Sequence, residues 1–380
     1  MIGPTRARAP RGLTLVELLV ATAIFSVLGA TIVFFLRQGL ATWRAGETRR
    51  GAYEEAQAIL RQVREDLGGA FVRNPAVPGE DPTVRFICDF DAHGRQRIAF
   101  VRTLPREAAH PIAGLAGNMT AAMQDLDGRD DLKEGLAGDL RATGGLLEVA
   151  YVMDPRGGDV LYRGEHAPPG GEASLLVAQN VESEERVRAL FTPFSSRVLH
   201  LEMAFWTQYT RTWDDATPPL TRPRIGARSG PAFIWDSTRA ILPDLPGAQA
   251  DEFRFRRGPA SLVEPADDIF PERVLVTLVV AEEGPAATET ILTQPLAADG
   301  REAKVLSTRG FEARGPFVRI GREWVKVEKV LDDGTLKLPR GSRGRRGTLP
   351  ADHKAGTTVV AGRTFSAVVE IPASLEHWNE

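Results

Sequence analysis

From Leu13 to Leu36 the chain runs for 24 residues with a single charge, Glu17, before Arg37. A helix of that length spans about 36 Å, enough for the hydrocarbon thickness of a bilayer. The stretch reads as a membrane-spanning helix at residues 13–36. An ionised carboxylate in hydrocarbon costs roughly 2.5 to 3.5 kcal/mol even on lenient insertion scales. Glu17 therefore needs a partner, and any account of the chain has to supply one.

Arg6, Arg8 and Arg11 precede the apolar run, with no acid among them. Positive charge on the short side predicts a cytoplasmic N-terminus, a single pass through the inner membrane, and the bulk of the chain in the periplasm. An ordinary secretory signal is the rival reading. Its apolar region runs about 7 to 15 residues and ends at a small-residue cleavage site, and no clear A-x-A site follows Leu36. Instead Leu40, Trp43, Tyr53, Ala56, Leu60, Val63 and Leu67 continue at mostly helical multiples. The spacing predicts one helix over 13–67, with residues 37–67 outside the membrane and one face packed on a soluble domain. Gly29, Gly39, Gly46 and Gly51 lie along it. Two readings stand for them: the tolerance of membrane helices for glycine, and local melting or close helix approach.

The stretch "GLTLVELLVA", Gly12 to Ala21, resembles the N-terminus of type IV prepilins and pseudopilins, which are substrates of the membrane prepilin peptidase. A short basic leader, glycine at the cut, an apolar helix and a glutamate five residues after the cut coincide. The resemblance implies a leader at residues 1–12, cleavage between Gly12 and Leu13, N-methylation of Leu13, and an assembly role for Glu17. Leu13 stands where the family usually has phenylalanine. Cleavage would create an α-amine at the head of a helix, where the dipole already favours an anion. In a filament, that amine and a neighbour's Glu17 can neutralise one another, each being costly alone in lipid.

Beyond Gly68 and Gly69 the pattern turns to strands. "TVRFICDF" alternates Val84, Phe86, Cys88 and Phe90 on one face, "DAHG" turns, and "RQRIAFVRTL" returns as a hairpin partner. The lone cysteine, Cys88, reads as a core-face thiol with no activating group beside it. "GGLLEVAYVMDPRGGDVLYRGEHAPP" gives two further strands around an Asp-Pro, Gly-Gly turn. With "SLLVAQNVESEERV", "VLHLEMAFWTQYTRTWDDAT" and "PERVLVTLVVAEE" after it, this order resembles the J-type minor pseudopilin of type II secretion systems. J-type members are shorter, so the surplus is an insertion. Arg314 to Phe365, with turns such as Asp333-Gly334, reads as short strands; through "RGRRGTLPADHKAGTTV" it resembles a small β module found as an add-on in phage and envelope proteins. The expected fold is α+β. A long N-terminal pilin-like helix packs on antiparallel sheet in a globular domain at 68–308, an all-β module fills 309–365, and a final strand and tail fill 366–380.

The composition, 43% hydrophobic and 26% charged with a net charge of -3, is that of a folded protein without the basic field of a nucleic-acid binder. Arg340, Arg343, Arg345 and Arg346 interleave with glycine but with no stacking aromatic, and read as a solvated turn. Asp125, Asp127, Asp130 and Asp131 lack the EF-hand order, which favours a polar loop over calcium. His93, His110, His166, His200, His353 and His377 lie far apart with no H-x-x-x-H, so no metal site, cofactor or catalytic residue is expected.

The function implied is structural: a minor pseudopilin of the periplasmic pseudopilus tip in type II secretion. Its expected partners are the prepilin peptidase, the other minor and major pseudopilins and the inner membrane, with secretin or secreted cargo as further candidates and no nucleic acid. A minor pilin of a type IV pilus, serving adhesion, motility or DNA uptake, is the alternative. A membrane-anchored envelope enzyme with an uncleaved helix is the third reading.

Overall fold

A computed structural model of the protein describes residues 15–72, 84–91, 93–104, 145–206, 233–237, 270–282 and 288–371. Helix α1, Leu15–Gly68, is a single run of 54 residues. Its C-terminus closes where the amide of Gly69 donates to the carbonyls of Glu65 and Asp66, both at 3.2 Å. The helix buries one face over its last turns only: Ala52, Ala56, Ile59, Leu60, Val63 and Leu67 are all buried. These positions recur every three to four residues, as a docked stripe requires. Leu40 and Trp43, read from the sequence onto the same packed face, are 53% and 66% exposed. Among the described residues the buried stripe begins at Ala52, so the helical period runs on beyond it towards the N-terminus.

Strands β1 (Phe86–Phe90) and β2 (Gln96–Leu104) form the expected hairpin, with Cys88 opposite Ile98. Phe86 and Cys88 point into the core, at 1% and 0% exposure. β3 (Gly145–Met153) and β4 (Leu161–His166) follow as a second antiparallel pair. With β5 (Phe191–Ser195) and β7 (Phe233–Asp236) they complete a six-stranded sheet ordered β5-β4-β3-β2-β1-β7. Two short helices, α2 (Ala178–Glu182) and α3 (Glu184–Leu190), lie on its outer face. Their Val181 and Val187, with Leu175, pack on Ala99, Ala150 and Val152.

A second antiparallel sheet, ordered β16-β8-β6, is built from β6 (Val198–Trp206), β8 (Arg273–Val280) and β16 (Arg363–Glu370). One cluster joins the buried stripe of α1 to both sheets, with Phe86, Phe100, Tyr151, Leu201, Phe205, Trp235, Val276 and Leu278 at its centre. Burial of such side chains, about 1.5 to 3 kcal/mol each, makes this cluster the main support of the fold.

The chain leaves β8, builds a separate set of short strands, and returns as β16. These strands are β9 (Thr288–Ile291), β10 (Glu302–Lys304), β11 (Phe317–Ile320), β12 (Glu323–Lys326), β13 (Lys329–Leu331), β14 (Thr335–Lys337) and β15 (Thr358–Ala361). They make a four-stranded sheet, β12-β11-β15-β9, and a three-stranded one, β10-β14-β13, around a core of their own from Leu292 to Ala361. The unit thus draws in residues upstream of the boundary at 309 read from the sequence, and Arg363 to Phe365 already belong to the return strand.

Candidate functional site: the N-terminal helix and its mounting

The first half of α1 is the region that the sequence singled out. Leu15–Leu40 has a mean hydropathy of 2.5 with none of it buried inside the chain, and it is long and apolar enough to cross a membrane. Leu15, Val16, Phe25, Phe34 and Phe35 are each more than 60% exposed. The polar atoms in this stretch are dealt with locally. Thr22 Oγ1 donates to the carbonyls of Leu18 at 3.0 Å and Leu19 at 2.9 Å. Ser26 and Thr31 donate to the carbonyls four residues back, at 2.8 and 2.7 Å. Such back-bonding lets a hydroxyl sit in hydrocarbon without an unmet donor. A Cβ built on Gly29, Gly39, Gly46 or Gly51 meets nothing within 4 Å, so among the described residues no contact requires glycine there.

Glu17 lies in the first turn of α1, exposed, where the positive end of the helix dipole favours a carboxylate. Gly12 and Leu13 lie outside the described residues, as do the acids from Asp125 to Asp131, His110 and His377.

The helix is mounted on the body through Asp66, whose side chain is fully buried. Arg163 on β4 donates to it twice, from Nε at 2.7 Å and from Nη2 at 2.9 Å. Arg102 on β2 and the Tyr151 hydroxyl on β3 also donate to Asp66. One carboxylate on the helix thereby holds three strands. Burial, and then the charge of Asp66, push the Tyr151 hydroxyl far above the usual phenol range. Its proton stays in the network throughout the physiological pH range.

Arg343 and Arg346 depart from the solvated turn that the lack of stacking aromatics in the run had implied, while Arg340 is exposed. Arg343 donates to Glu323 from Nε and Nη2, each at 2.7 Å, and Glu323 also accepts from the Gly344 amide at 2.8 Å, the Ala351 amide at 3.1 Å and His353 at 2.8 Å. Burial acts to raise the Glu323 pKa; the bonds from His353, Arg343 and the two amides outweigh it and hold the pKa at about 2. The Arg346 guanidinium stacks 4.6 Å from the ring centres of both Phe317 and Trp324. The stacking aromatics were absent from the run itself because β11 and β12 bring them in.

This cluster also fixes the inserted unit to the body. Trp324, Phe317 and Val360 pack on Leu199 of β6 and Val279 of β8, and the His200 ring meets Trp324 edge-on at 5.5 Å. Burial draws the His200 pKa down, which keeps its imidazole neutral in the seam. Arg319 is paired with Asp159. At Gly94 and Gly347 the two backbones approach so closely that a Cβ on either would collide with the other's carbonyl, 1.8 to 1.9 Å away. Glu282 takes Arg363 at 3.1 Å and also Arg314, binding both crossings of the insertion.

The histidines remain apart: His93 bonds the Pro155 carbonyl, His166 the Gly170 carbonyl, His200 Glu202, and His353 Glu323. Among the described residues, no group of three His, Cys, Asp or Glu side chains could hold a metal ion. Cys88 is buried, which pushes its thiol well above the ordinary range and leaves it unreactive.

The family model described as the prokaryotic N-terminal methylation motif matches residues 8–33. That span takes in Gly12, Leu13 and Glu17. No curated protein and no solved structure matches the chain. The motif together with the apolar helix supports the type IV pilin and pseudopilin family: a structural, membrane-anchored protein that is processed by prepilin peptidase and assembles with other pilin-type subunits.

Proposed function

We propose that the chain is a minor pseudopilin of the pseudopilus tip in a type II secretion system. It is cut between Gly12 and Leu13, N-methylated at Leu13, and carried in the inner membrane with its body in the periplasm. The observation that carries the reading is the N-terminal methylation motif at residues 8–33, followed by an unbroken 54-residue helix whose apolar first part, Leu15–Leu40, is long enough to cross a membrane. Glu17 lies in the first turn of that helix, and the amine released at Leu13 of a neighbouring subunit would have the complementary charge at the same depth. The order of strands after the helix, which resembles the J-type subunit, favours the secretion machine over the pilus.

Intact-mass and N-terminal analysis after co-expression with prepilin peptidase tests the processing. The expected product begins at methylated Leu13, and Gly12→Val leaves the leader in place. A wild-type product that still carries Met1 to Gly12 would overturn the pilin reading altogether. Crosslinking in the native host separates the machines. Capture of type II pseudopilins supports this assignment; capture of pilus minor pilins replaces it with the alternative.

A further inference from the structure

A cavity of about 180 Å³ lies between the outer face of the six-stranded sheet and the segment that carries α2. Ile87 and Val152 from the sheet and Leu175 and Val181 from the covering segment supply its apolar walls, and Arg97 and Asp89 its polar end. Arg97 is 5% exposed. Its Nε and Nη2 donate to Asp89 at 2.5 and 2.8 Å, and Nη2 donates also to Glu182 at 2.9 Å. Nη1 is buried and, among the described residues, has no hydrogen-bond partner. A guanidinium has five donors in a fixed fork, and leaving buried ones unmet is costly, the more so for a charged group. The vacant donors belong to a group whose charge is already answered twice, by Asp89 and Glu182. Arg85, also on the lining, is tied to Asp236 at 2.6 Å. The polar end therefore calls for an acceptor without a charge. In size the cavity exceeds the engineered apolar void of about 150 Å³ that admits benzene.

We propose that this cavity is a binding site for a compact uncharged ligand that offers a branched aliphatic group to the walls and a carbonyl oxygen, as an amide or ester, to Arg97. The site is independent of the N-terminal motif. It lies on the opposite face of the sheet from the core that docks α1.

Isovaleramide is the probe, followed by saturation-transfer NMR on the full chain in lipid nanodiscs, with empty nanodiscs subtracted. A ligand of about seven heavy atoms is expected to bind near the millimolar range. Ala178, exposed on the lining, gives the blocking variant: a bulky Ala178→Trp is expected to occlude the cavity and abolish the signal. Arg97→Lys keeps the charge, removes the fork and weakens binding about tenfold. Isovalerate, the same shape with a negative charge, binds less tightly than the amide. The proposal is overturned by the absence of a saturable wild-type signal, by an undiminished signal in Ala178→Trp or Arg97→Lys, or by isovalerate binding as well as isovaleramide.

Discussion

The two halves of α1 share one backbone and differ in everything that their side chains meet. Leu15–Leu40 is strongly apolar and, among the described residues, is not buried; from Ala52 to Leu67 a single stripe is apolar, and it lies against two sheets. A helix that is hydrophobic all round needs lipid or neighbours, and one with a stripe needs a body. The second half therefore determines how the subunit folds. The first is free to determine where it goes and what it joins. Glu17 and Asp66 repeat the contrast at the level of one carboxylate each: Asp66 has its cations inside the chain, whereas the proposed partner of Glu17 comes from another subunit.

Asp66→Ala presses hardest on this division. It strands Arg102, Arg163 and Tyr151 without their shared acceptor, and is expected to cost about 3 to 5 kcal/mol of stability. Chemical denaturation of the processed protein reads the loss, while cleavage at Gly12 proceeds unchanged; a leader left uncut in this variant would mean that the halves are coupled. Glu17→Ala is the converse. Unfolding of the body stays at the wild-type midpoint, while incorporation falls by up to about a hundredfold, the equivalent of an amine left unpaired in lipid at roughly 2.5 to 3.5 kcal/mol. Co-assembly at the wild-type level would falsify the pairing account.

The inserted unit sharpens the comparison through pH, because its key carboxylate is answered wholly from within. The folded pKa of Glu323, about 2, lies below its ordinary value of 4.5. Its contribution is therefore complete above pH 4.5 and is lost as the pH falls through 2, at most about 3 kcal/mol. Hydrogen exchange in β11 and β12 should accelerate across that window in the wild type. In Glu323→Gln the same amides exchange faster already at pH 7, and the acid dependence flattens. Gly46→Ala carries the smallest effect. No atom of the described residues stands near a Cβ there, so helix propensity alone predicts a gain of up to about 1 kcal/mol, seen as slower exchange around residue 46. A simultaneous fall in assembly would assign that glycine to contact between helices.

The parts of the fold legible in the sequence were those with a local period. The helix, the β1–β2 hairpin, the β3–β4 pair and β16 are visible because alternation or helical spacing runs through consecutive residues. Where the buried stripe of the helix begins was not legible, since Leu40 and Trp43 fit the period as well as Ala56 does. Nor were the ion clusters. Asp66 finds Arg102 and Arg163 across 36 and 97 residues, and Arg346 finds its aromatic rings on strands that precede it. A basic run with no aromatic neighbour in sequence says nothing about the neighbours that a sheet will bring. Of the candidate site, the N-terminal motif was legible as a motif, and the family model matches the same stretch, residues 8–33, because processing signals are linear and need no tertiary structure to be recognised.

The pairing of β16 with β8 carries a consequence for how such a chain came to be. The two strands lie in register along eight residues, from Arg363 opposite Val280 to Glu370 opposite Arg273, although the whole inserted unit separates them. Its exit therefore sits beside its entrance, and Gly362 passes so close that a Cβ would stand 2.6 Å from the Val280 carbonyl. A plain hairpin between β8 and β16 would satisfy the same sheet. The unit behaves as a graft at a turn: it could be gained, lost or exchanged without shifting a single ladder bond, leaving Leu199 and Val279 as the apolar scar that its Trp324 now covers.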